Sequence, residues 1–148
     1  MGSISKTISL EEFEQASLEA LGALLWGYSF EYCGLHSRPK GAALEFARGD
    51  DRLFVAHEGG VVYLDFLTPI DGGCFCRVSL NQALWFEGVK VVARVRSVRS
   101  QLITFSEEIP RHFENLLRHG PSSFDSRFCF HLSGEDAEFY LSVQRGML

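Results

Sequence analysis

At 148 residues, with 46% apolar and 22% charged side chains, the chain has the size and balance of a single globular domain spanning 1–148, which excludes disorder as its default state. Its net charge of −5 comes from acids spread along the chain, which weighs against nucleic-acid binding and against anionic membrane surfaces. No run approaches the ~18 apolar residues of a membrane span, and MGSISKTISLEEF holds no signal-like apolar core, so the cytoplasm is the expected compartment.

The first element is a helix over 9–27. Ser9 followed by Glu12 is a capping-box pattern, and Ile8 and Phe13 fall at hydrophobic-staple positions. Leu10, Phe13, Leu21, Leu24, Leu25 and Tyr28 share one face at helical spacing, and Gly27 offers a stop. Trp26 points away from that stripe.

From 28 to 80 the period falls to two. GAALEFARGDDRLFVAHEGGVVYLDFLTP reads as three strands separated by Gly-Asp-Asp and Gly-Gly turns. The two glycines accept the positive φ of a type I′ hairpin. That register sets His57 opposite Val62, Val55 opposite Leu64 and Phe54 opposite Asp65. Both faces of these strands carry large apolar side chains, so the sheet is expected to be covered on more than one side or closed on itself. CFCRV is a further short strand beyond Pro69 and Gly72-Gly73.

Ser79 and Gln82 open a short helical turn, LNQALWFEG, closed by Gly88. VKVVARVR at 89–96 alternates like a strand. Leu102, Phe105, Ile109, Phe113, Leu116 and Leu117 then recur at helical spacing up to Gly120-Pro121, with Pro110 expected to kink or divide the helix. In the tail, RFCFHL alternates, and AEFYLSVQ is read as its hairpin partner, although Ser133 with Asp136 also fits a helix start. The fold class is α+β: an N-terminal helix, an antiparallel meander of four to five strands, a kinked helix and a terminal β pair.

The four cysteines cluster in FEYCGLH, GGCFCRVS and RFCFHL. Residues i and i+2 of a strand stand about 6.6 Å apart at ~3.3 Å per residue, too far to share a tetrahedral metal. No paired C-x-x-C units occur. The thiols are therefore read as buried structural groups kept reduced, and neither metal nor cofactor is expected.

Nucleophile elbows, H-E-x-x-H and phosphate-binding glycine loops are all missing, so the reading leans against an enzyme. Lys90, Arg94, Arg96 and Arg99 form one basic patch, whose bland reading is a solvated strand face. Leu84, Trp85 and Phe86 follow one another on a turn that can bury only some of them. The expected function is a small acidic protein-binding module, of the kind found among immunity proteins or secretion chaperones, that occupies a partner surface. Trp85, Phe86, Trp26, Arg94 and Arg96 are the candidate contacts, the partner is another protein of basic character, and a homodimer is left open. The competing expectation is a small-molecule pocket between sheet and helices using Asp65, His57, Cys33 and Cys76.

Overall fold

The structure is a computed structural model that describes residues 8–89, 97–121 and 126–147. Its centre is an antiparallel sheet of six strands in the order β1-β2-β3-β4-β5-β6. The strands are β1 (Glu31–Arg38), β2 (Gly41–Arg48), β3 (Asp51–Glu58), β4 (Val61–Pro69), β5 (Phe75–Ser79) and β6 (Cys129–Leu132). The Gly59-Gly60 hairpin has φ of 59° and 86°, and His57, Val55 and Phe54 face Val62, Leu64 and Asp65 as the turn chemistry dictates. The fold class is α+β with this meander at its core. The sheet exceeds four to five strands because Cys129–Leu132 joins it beside β5.

Strand alternation divides the sheet into two faces. The inner face carries Ala42, Leu44, Phe46, Leu53, Val55, Val62, Leu64, Phe66, Cys76 and Val78, and helices cover it. The first helix runs as α1 (Leu10–Ser17), a π turn (Leu18–Gly22) and α2 (Ala23–Gly27). Ser9 caps it, its Oγ accepting from the Glu12 N–H at 3.1 Å. The stop is two residues beyond Gly27: Ser29 adopts φ 70°, and Phe30 N–H to Leu25 O with Ser29 N–H to Trp26 O forms a Schellman closure.

Next come α3 (Leu80–Phe86), α4 (Val98–His112) and α5 (Glu114–His119). Pro110 lies inside α4, and the helix breaks at Phe113, three residues on. The strand expected over 89–96 lies, from Lys90 onward, outside the described residues.

Strand β4 outruns β5, which pairs only with Asp65–Pro69. Two amide side chains complete the ladder that β5 leaves open. Gln101 of α4 accepts from Val62 N–H and donates to the Gly60 carbonyl, both at 2.8 Å. Asn81 of α3 accepts from Leu64 N–H at 2.9 Å and donates to the Val62 carbonyl at 2.8 Å. Buried backbone groups demand such partners, and here side chains stand in for a strand.

The tail departs from expectation. Residues read as a returning strand form α6 (Gly134–Gln144), with Ser133 Oγ accepting from Asp136 N–H at 3.1 Å. The cap and the acids Glu135 and Asp136 in the first turn favour a helix, and β5 already supplies the partner that β6 needs. Helix α6 crosses the outer face and meets β1 at its far end. There Gly146, at φ 66°, lies so close that an added Cβ would sit 2.0 Å from the Ser37 carbonyl oxygen.

The cysteine reading is corrected at one pair: Cys76 and Cys129 are joined in a disulfide, with Cα atoms 5.6 Å apart. Spacing along one ribbon keeps sulfurs apart, but neighbouring antiparallel strands bring them together. Cys33 and Cys74 are free thiols.

Candidate functional site

The pocket residues named from sequence are not brought together. Asp65 and His57 occupy opposite faces of the sheet. His57 is on the inner face, its ring 4.6 Å from that of Phe13, and burial pushes its imidazole below the ordinary value, helped by Arg38. Cys76 is buried in its disulfide on the inner face. Cys33 is exposed at a bulge in the edge strand β1, far along the strand order from β5.

Asp65 is 5% exposed on the outer face beneath α6. Arg77 donates to its Oδ2 at 2.9 Å, as does the Tyr140 hydroxyl, and Gln144 reaches it at 3.5 Å. Glu45 is a second carboxylate on this face, bound by Arg145 (2.9 and 2.7 Å), Arg52 (3.2 Å) and His36 (2.9 Å). Burial alone would raise the Glu45 carboxyl, but the hydrogen bonds from Arg145 and His36 outweigh it and hold it below the usual glutamate value. Burial first, and then the Asp65 charge, push the Tyr140 hydroxyl well above the ordinary phenol range. Each carboxylate is ringed by donors, so the network clamps α6 rather than presenting a reactive group. Among the described residues no three His, Cys, Asp or Glu side chains are placed to hold a metal ion.

The other named residues concern partner contact. Within α3, Leu84 is buried while Trp85 and Phe86 are each 63% exposed. Phe86 stacks on Phe128 with ring centroids 5.3 Å apart, and Phe128 leads straight into β6. On β6, Phe130 is exposed, and α6, which packs on β6, carries Phe139 at 63% exposure. Trp85, Phe86 and Phe130 therefore lie at the β5–β6 end of the sheet, while Phe139 is exposed midway along α6, whose next residue, Tyr140, packs on Phe54 of β3. Acidic side chains flank them: Glu87 after α3, and Glu135, Asp136 and Glu138 on α6, all exposed. Asp71 belongs to the same margin, since Gly134 approaches the Gly73 carbonyl.

Trp26 is also exposed but sits on α2, a different element, beside the turn at Gly27–Ser29. Arg94 and Arg96 lie outside the described residues. Arg99, from the same basic patch, pairs with Glu19 at 3.5 Å. Sequence reasoning missed Phe130 and Phe139. The Ser133–Asp136 cap was the available signal, because a helix there sets Phe139 and Val143 on one outward face at i, i+4.

No protein-family model, curated protein or solved structure matches this chain. No helix among the described residues is long and apolar enough to cross a membrane.

Proposed function

We propose that the protein is a binding module whose working surface is the aromatic patch around β6, and that its partner is a basic protein. The observation that carries this reading is the exposure of Trp85, Phe86 and Phe130 at the β5–β6 end of the sheet, with Phe139 exposed further along α6, the helix that packs on β6. Aromatic side chains with high exposure are costly to leave in water and serve as anchors when a partner desolvates them. The acids Asp71, Glu87, Glu135, Asp136 and Glu138 at the margin would steer a cationic partner and disfavour nucleic acid. The mechanism is steric: the patch covers a partner's surface, and no chemical step is required of it.

A photo-crosslinking amino acid at position 86 or 139, introduced in the source cells, tests this. Both positions should capture the same discrete basic protein, and Phe139→Ser combined with Trp85→Ser should abolish capture from position 86 while leaving the melting temperature within about 3 °C. Equal labelling from a remote exposed site, Ile103, would count against a specific surface.

A further inference from the structure

A second feature lies away from the aromatic patch, where the helices meet the sheet at the β2–β3 turn. There an open cavity of about 690 Å³ is lined by Tyr28, Ser29, Arg48, Asp51, Arg118 and His119, among others. This volume falls in the range of small-molecule sites, roughly 300–1,000 Å³.

The electrostatics of the walls are uneven. Arg48 is fully engaged: its Nη1 donates to the Tyr28 carbonyl at 2.8 Å and to the Leu117 carbonyl, and its Nε and Nη2 hold Asp51 Oδ2 at 3.2 and 3.0 Å. Those carbonyls belong to the C-terminal ends of α2 and α5, so one guanidinium quenches two negative helix ends. Asp51 is the sole acid among the described lining residues, and Thr68 also donates to it, at 2.5 Å. The negative groups of the wall are thus occupied by internal partners.

The positive ones are not all spent. Arg118 is held by Glu114 through Nε at 3.2 Å and lies over the Tyr28 ring at 5.0 Å. Its two terminal amines have no hydrogen-bond partner among the described residues, and the guanidinium is therefore positioned with a free fork. His119 follows it on the same wall. Ser29 lines the same cavity and occupies the left-handed position of the Schellman closure, φ 70°, where glycine is the default residue. Ser29 is exposed at this cavity, and a non-glycine residue held in that conformation marks a candidate ligand contact.

We propose that this cavity binds the oxyanion of a small molecule, a phosphate monoester or a carboxylate, through Arg118, His119 and the Ser29 hydroxyl. The planar fork of Arg118 receives two oxygens, the Ser29 hydroxyl donates to a third or shares one, and the rings of Tyr28 and Pro121 border the rest of the molecule.

The test uses amide and arginine NMR spectra of the full chain, titrated with inorganic phosphate and separately with acetate at matched ionic strength. Saturable shifts at Ser29, His119 and Gly120 are expected, with Kd of about 10 mM or tighter for the preferred anion. Saturation with phosphate alone assigns a phosphoryl ligand, with acetate alone a carboxylate, and with both a general oxyanion site. Arg118→Gln should weaken binding about tenfold, the worth of one charge-assisted hydrogen bond. Ser29→Gly should raise the melting temperature by about 2–4 °C through relief of strain, yet weaken the same anion several-fold. Shifts that stay linear to about 100 mM, shifts unchanged in Arg118→Gln, or undiminished binding by Ser29→Gly would each overturn the proposal.

Discussion

Replacing Gln101 with Met tests whether an amide side chain acts as a missing strand. Gln101 is 1% exposed, and its side chain holds Val62 N–H and the Gly60 carbonyl at 2.8 Å each. Methionine nearly matches the volume, so the change removes hydrogen bonding with little loss of packing. It strands a buried N–H on β4, which costs about 1–3 kcal/mol, whereas the Gly60 carbonyl sits in a turn and recovers much of its loss from water. The sum is about 2–3 kcal/mol, or a fall in melting temperature of about 4–12 °C for a chain of this length. Thermal unfolding followed by circular dichroism gives the magnitude, and hydrogen exchange gives the location. Protection of the Val62 amide should be lost, while that of Leu64, which Asn81 holds independently at 2.9 Å, should persist. A Val62 amide still protected as in the native chain would refute the reasoning, whatever the melting temperature does.

Other expectations concern the two faces of the sheet and the disulfide. Tyr140→Phe removes one donor from the buried Asp65 carboxylate and should cost about 1–2 kcal/mol by urea unfolding; an equal cost in an Asp65→Asn background would show that the two groups are not coupled. His57 is held below its ordinary 6.5, so the unfolded chain takes up the proton first and stability should fall as pH drops through 6.5; His57→Gln should flatten that limb of a stability–pH curve. Glu45 is held below 4.5, so its contribution is present above that pH and is lost on further acidification, a second fall that Glu45→Gln should remove. The Cys76–Cys129 bond closes a loop of sequence separation 53, and loop-closure entropy assigns it about 4 kcal/mol, so Cys129→Ser should show a comparable loss in guanidinium unfolding.

Local chemistry made much of the meander legible. The Gly59-Gly60 pair permits one turn type, and that turn sets the register of β3 against β4 without help from the rest of the molecule. Ser9 and Ser79 likewise announce helix starts through contacts three residues away. What sequence did not disclose depends on contacts between remote segments. The burial of Asp65 requires Tyr140 and Gln144 to arrive from 75 and 79 residues downstream. The pairing of Cys76 with Cys129 requires β6 to choose β5. Helix α6 resembles a strand in sequence because apolar residues lie on both of its sides: Ala137 packs inward while Phe139 faces water, which blurs a helical period. Arg118 and His119 read as routine basic residues closing a helix, and only the fold sets them on one cavity with Ser29.

A single residue, Ser133, separates helix α6 from β6, and the helix delivers Arg145 and Gly146 to β2 and β1, so its length is matched to the breadth of the strands it crosses. Each further strand would widen the sheet by about 4.8 Å, or roughly three residues of helix. Strand number and helix length are therefore constrained together: an insertion that added a strand between β2 and β5 would pull the carboxy-terminal clamp off Glu45 unless the helix gained nearly a turn. The last helix works as a gauge on the size of the domain.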